Sequence, residues 1–153
     1  MSLHVETVQP MNIDRTWVYS AKFICGLVNP IPGANPPAPA DGAPLGPGLY
    51  LTAINIYNPN DHAAEFVKRG VVAFPQHTKR FDKPRNPTPE RLDPHLGIEV
   101  DCLDFLHLLG EALSEPVFDF KHPFLKGFVE VRTLPGSPQL AVVAVYTVTR
   151  FTV

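Results

Sequence analysis

The side chains able to do chemistry in this chain are few, and their spacing decides how much they can do. The histidines are His4, His62, His77, His95, His107 and His122. No two stand at the i, i+4 spacing that puts two ligands on one helix face for zinc, and none accompanies a C-x-x-C pair. His77, His95 and His122 fall in segments expected to be loops, where they could converge with Asp93 or Asp82. Imidazole and carboxylate together suit a transition metal, so His77, Asp93, His95 and His122 form the candidate metal set. Nothing in their spacing requires that they meet.

Nucleophiles are equally sparse. The serines are Ser2, Ser20, Ser114 and Ser137, and none sits in a G-x-S-x-G elbow. Cys102 follows Asp101 at the start of an apolar helical pattern, a place where a thiol pKa is lowered. His107 lies five residues on, which turns it about 140° away around a helix, so the two do not pair. A buried structural cysteine explains Cys102 more simply. Glu99 and Asp101 stand at i, i+2 on one strand face, where paired carboxylates can share a proton. A strand end followed by an N-cap acid accounts for them as well. Gly42, Gly46 and Gly48 are interleaved with proline and lead into no helix, so they form no phosphate loop. No catalytic residue and no cofactor are therefore assigned.

The elements that would carry these residues are mostly strands. Trp17–Leu27, Gly48–Pro59, Phe66–Phe74, Leu96–Asp101, Leu125–Arg132 and the closing run Gln139–Val153 are rich in aromatic and β-branched residues and are bounded by turn chemistry. Gly70, within the third run, suggests a bulge. Cys102–Leu113 repeats apolar residues at 102, 105, 106, 109 and 113, the pattern of one helix face, with Asp101 as its N-cap. There is no alternation of strand and helix. The expected fold is a mainly β single domain over residues 1–153, an antiparallel β-sandwich of about six to seven strands with one short helix.

Of the 18 prolines, seven lie between Pro30 and Pro47. Residues 29–48 should therefore be an extended, partly polyproline loop. Residues 75–95, proline-rich and charged, are expected as a second loop.

Net charge is −2, so no global field selects nucleic acid or an anionic membrane. Seven Lys or Arg between Lys68 and Arg91 face two acids, and seven acids between Asp93 and Asp119 face no base. Opposite charges in neighbouring loops account for this, and no stacking platform for single strands accompanies the basic stretch. Apolar runs stop short of the roughly 18 residues a membrane-spanning helix needs. The N-terminus lacks a basic n-region and an apolar h-region, which points to the cytoplasm. Export is the alternative if Met1-Ser2-Leu3 stand in place of a native leader. Two cysteines, Cys25 and Cys102, are too few for a disulfide scaffold, and whether they pair depends on their distance in the fold.

The closing strand poses the sharpest question. Leu140, Val142, Ala144, Tyr146 and Val148 fall on one side, and Ala141, Val143, Val145, Thr147 and Phe151 on the other. Both sides are largely apolar, whereas a half-buried strand alternates with polar residues. Fourteen residues would also extend roughly 46 Å, longer than a small sandwich needs. The second side requires cover, from the Cys102–Leu113 helix or from another subunit.

Taken in order, YSAKFICG, PGLYLTAINIYNP, IEVDC, KGFVEV and LAVVAVYT resemble segments of an uncharacterised group of prokaryotic β-sandwich proteins. More distantly, the N-P turn after an apolar strand looks like the sensory rhodopsin transducer family, whose members are oligomeric β-sandwiches. The resemblance implies a fold and an assembly and brings no catalytic residues. The expected function is that of a non-enzymatic homo-oligomer binding a protein or small-molecule partner. A loop-built metal-dependent site and a carbohydrate or cell-surface module are the alternatives, the last favoured if Trp17 is displayed.

Overall fold

The structure, a computed structural model, describes residues 1–28, 46–73, 87–109 and 124–150. It is mainly β, with nine strands and one helix among those residues: β1 Ser2–Thr7, β2 Met11–Ile13, β3 Thr16–Val28, β4 Gly48–Tyr57, β5 Ala64–Val72, β6 Glu90–Leu92, β7 Gly97–Val100, α1 Cys102–Leu109, β8 Phe124–Thr133 and β9 Ala141–Arg150. Hydrogen bonds join all nine strands into one open antiparallel sheet, in the order β1-β9-β4-β3-β8-β5-β6, with β2 on β3 and β7 on β4. Six to seven strands were expected. The additional ones are short or lie at the N-terminus, where the sequence lacks a long apolar run. β6 falls inside the segment expected as loop. The proline-rich residues 29–45 lie outside the described residues, as do 74–86.

The sheet has two halves that meet at a narrow seam. β3 pairs with β4 only through Gly26↔Tyr50, Leu27↔Leu49 and Val28↔Gly48, and with β8 from Val18 to Gly26. Gly26, at φ 113°, is the bend where β3 passes from one neighbour to the other, a backbone angle glycine adopts without strain. Beyond the seam the strands diverge, and the buried Thr52 side chain fills the gap. Its hydroxyl accepts from the Ile24 N–H at 3.0 Å and donates to the Ile24 carbonyl at 2.8 Å.

The inner faces of both halves supply one core. Tyr19, Phe23, Cys25, Phe66, Val129 and Val131 come from one half and Ile54, Ile56, Val100, Val142 and Ala144 from the other. Tyr19 stitches the two together: its hydroxyl donates to the Leu140 carbonyl at 2.6 Å and accepts from the Leu140 N–H at 2.8 Å. Burial pushes the Tyr19 phenol up to about 12. The unfolded phenol ionises near pH 10 while the folded one keeps its proton, so the unfolded state releases protons first. This contribution to stability is fully present below about pH 10 and is lost as pH rises through about 12. Urea midpoints measured from pH 8 to pH 11.5 should therefore fall, and Tyr19→Phe should flatten that decline. An equally steep decline in the variant would refute the assignment.

The helix seals the core. Phe105, fully buried, stacks on Phe23 with ring centroids 4.1 Å apart. Gly127 leaves the room: a Cβ there would collide with the Val71 carbonyl oxygen and lie 3.1 Å from Phe105 Cζ. Asp101 caps the helix as expected. Its Oδ1 accepts from the N–H groups of Leu103 and Asp104 at 2.8 and 2.9 Å, and Asp104 Oδ2 accepts from the Asp101 N–H at 3.2 Å. Residues 110–113 of the expected helix lie outside the described residues. No bulge occurs at Gly70, which stays in unbroken register opposite Val129.

Candidate functional site

The metal candidates divide. His77 and His122 lie outside the described residues, as does Asp82. Asp93 and His95 belong to one turn, and both are occupied there. Asp93 Oδ1 accepts from Arg91 Nε at 3.1 Å, and His95 Nε2 lies 3.2 Å from Asp61 Oδ1. His95 holds a left-handed φ of 57°. Among the described residues no group of three or more His, Cys, Asp or Glu is placed to hold a metal ion.

What organises that turn is Asn58, in the Asn-Pro-Asn-Asp cluster that follows β4. Asn58 is fully buried. Its Nδ2 donates to the carbonyls of His62, Leu92 and Asp93 at 2.9, 3.0 and 3.3 Å. Its Oδ1 accepts from Asn60 N and Nδ2, and Asn60 Nδ2 donates on to the Gln139 carbonyl at 2.7 Å. The Asn58 backbone is paired as well, donating to Leu96 O and accepting from His95 N. One amide thus ties the end of β4 to the segment between β6 and β7, and through Asn60 to the entrance of β9. The signal for it was the Asn-Pro-Asn-Asp cluster itself.

Cys102 is neither a nucleophile nor a free buried thiol. It forms a disulfide with Cys25, with Cα atoms 6.0 Å apart, which anchors the first turn of α1 to β3. His107 is exposed on the far side of the helix. Glu99 pairs in register with Asn55 on the sheet, while Asp101 is consumed in capping, so the two carboxylates do not act as a pair.

The closing strand has the richest surroundings. β9 lies between β1 and β4. Its even residues face the core, where Val142 and Ala144 are buried together with Leu140 just before the strand. Its odd residues lie in rows on the outer face: Leu3–Thr147–Leu51, Val5–Val145–Ala53 and Thr7–Val143–Asn55. Leu3 is 65% exposed, Val5 54% and Leu51 47%, with Leu49 and Tyr57 exposed on the same face. The helix does not cover these rows among the described residues, because it commits Phe105 to the core. Only its first turn reaches them. There Asp101, Cys102 and Leu103 wall a groove of about 320 Å³ whose floor includes Leu51, Ala53 and Val145.

The outer face of the other half is different in kind. Ser20, Lys22, Arg69, Glu130 and Arg132 alternate with the core residues there. Arg69 Nη2 reaches Glu130 Oε2 at 3.0 Å directly across the β5–β8 ladder. That face mixes its ion pair with the exposed Phe128 and Val71, whereas the central rows of the β1–β9–β4 face carry no charge. Trp17 packs against the core rather than standing out on a surface.

On the inner side, beyond the core, His4 stacks on Tyr146 with centroids 5.9 Å apart. The Tyr146 hydroxyl lies 3.2 Å from both Glu6 Oε2 and the Lys22 carbonyl. Burial, reinforced by the Glu6 charge, pushes this phenol up to about 12. Beside it a cavity of about 130 Å³ is lined by Ile24, Tyr50, Thr52 and Val148. No helix among the described residues is long and apolar enough to cross a membrane.

No protein-family model matches the chain, and neither a curated protein nor a solved structure matches it.

Proposed function

We propose that this chain is a non-enzymatic, homo-oligomeric β-protein, its folded-over sheet serving as the sandwich, and that the outer face of β1, β9 and β4 is its assembly surface. The observation that carries this reading is the contrast between the two outer faces. On one half the ion-paired Arg69, Glu130 and Arg132 interrupt the exposed Phe128 and Val71, whereas on the other Leu3, Val5, Leu49, Leu51 and Tyr57 are exposed on a face whose central rows carry no charged residue. Exposed contiguous apolar surface of this kind marks an interaction site. The groove under α1 belongs to the same face and offers apolar contact with no free catalytic group, since the one carboxylate beside it caps the helix.

Light scattering on purified protein at micromolar concentration should give a mass of more than one chain, and Leu51→Lys should lower it. A monomeric wild-type protein would end this reading. The Cys25–Cys102 bridge supports the exported alternative over a cytoplasmic location, because disulfides persist in oxidising compartments.

A further inference from the structure

We infer that two copies of this chain join edge to edge through β1, pairing antiparallel about a two-fold axis at Val5. This rests on the assembly reading above and names the contact that begins it.

β1 is the end of the sheet, and among the described residues no strand pairs with its outer edge. The hydrogen bond from the Val8 N–H to the Val142 carbonyl fixes which backbone groups are spent on β9. Hydrogen-bonded residues alternate along an antiparallel pair. In the register Thr7↔Val143, the even residues Ser2, His4 and Glu6 therefore turn their N–H and C=O groups to β9. Leu3, Val5 and Thr7 turn theirs to the open edge.

Those three residues form a self-complementary template. With Val5 opposite Val5 of a second copy, Leu3 falls opposite Thr7 and Thr7 opposite Leu3. All three open pairs then exchange both of their bonds, about six N–H···O bonds in total. Registers shifted by two residues satisfy fewer.

The side chains agree with this register. His4 comes opposite Glu6 of the second copy on the inner face, twice per pair, in the closer non-hydrogen-bonded positions. Glu6 has accepting capacity left beyond its contact with the Tyr146 hydroxyl. On the outer face Val5 meets its own copy, so the apolar rows of the two chains run on without a break.

The two ends of the sheet are built differently. The far edge, β6, has only three residues, carries the Arg91–Asp93 ion pair and is followed by Pro94, all devices that discourage pairing. β1 has six residues and neither a lysine nor a proline.

Area gives the reason for joining. At about 4.8 Å between strands and 3.3 Å per residue, the outer face of β1, β9 and β4 covers on the order of 400 Å². That is half of the roughly 800 Å² per partner of a standard stable interface. Two faces joined across β1 reach that size and can seat a second such pair. The assembly should therefore hold an even number of chains.

Val5→Pro is the direct test. The Val5 N–H has no partner among the described residues, so the ring removes no bond seen there, and proline is tolerated at such an edge position. Light scattering should show a wild-type mass of two or four chains and a Val5→Pro mass of one or two, half the wild-type value, with unchanged far-ultraviolet circular dichroism. Val5→Cys supplies a second readout, because both native cysteines are bridged and the new thiol stands alone. A short bismaleimide should convert that variant to covalent dimer, and should not do so for a thiol placed at Glu65. A wild-type oligomer whose mass is unmoved by Val5→Pro, an odd number of chains, or a failure of Val5→Cys to cross-link would overturn the edge pairing while leaving the assembly reading in place. A monomeric wild type would overturn both.

Discussion

Replacing Asn58 with aspartate should cost about 4 kcal/mol or more of stability near neutral pH, among the largest effects of any single substitution in the chain. The side chain is fully buried, and its NH2 group points at the carbonyls of His62, Leu92 and Asp93. A carboxylate there would present negative charge to three acceptor oxygens and strand them without donors. Asn58→Ala removes the bonds without adding charge and should cost about 3 kcal/mol. Urea titrations distinguish the two by their pH response. An aspartate in this place holds its proton more tightly in the folded state than in the unfolded state, so the folded chain binds more protons and stability falls as pH rises. The Asn58→Asp variant should therefore regain part of its loss on going from pH 7 to pH 4, and Asn58→Ala should not follow it. Equal, small losses in both variants would show that the turn does not depend on the amide.

Removing the Cys25–Cys102 bridge should cost about 4 kcal/mol by the chain-entropy relation, since it closes a separation of 77 residues. Cys102→Ser should show this loss, and reductant should impose a comparable loss on the wild-type protein while leaving the variant unmoved. The eight residues of α1 are too few to hold a helix alone in water. Without the bridge, its position rests on Phe105 against Phe23 and on the Asp101 cap. Hydrogen exchange should accordingly rise first in α1. A reductant-insensitive wild type, or a variant as stable as wild type, would show that the bridge contributes nothing. Thiol trapping in intact cells would show the bridge as it stands in the native compartment.

The strands that could be read from sequence were those whose composition announced them. β3, β4, β8 and β9 have long β-branched and aromatic runs, and in β8 the buried Leu125, Gly127, Val129 and Val131 alternate with Lys126, Phe128, Glu130 and Arg132. The β2–β3 hairpin was not legible, because its two turn residues, Asp14 and Arg15, both take positive φ without the glycine that usually signals such a turn. β1 escaped notice for a related reason: all six residues are exposed, so no burial pattern marks it. The bridge depended on a distance between two elements, which spacing along the chain does not encode. The two-sided character of the closing strand was legible in full. Which side would stay open was not, because that depends on where α1 lodges, and a buried phenylalanine decided it.

The hydrogen bonds between Tyr19 and Leu140 span 121 residues, and the first strand of the sheet pairs with the last. Few of the pairings that define this fold are local, which places it with the slow folders that reach the native state in milliseconds to seconds. Synthesis makes the point more concretely. β9 is made after the other described strands, yet it supplies the partner for β1, one full flank of β4 and the core residues Val142 and Ala144. A nascent chain stopped before it would hold β4 without its main neighbour and the N-terminal strand with none. Completion of this sheet thus waits until β9 has been made.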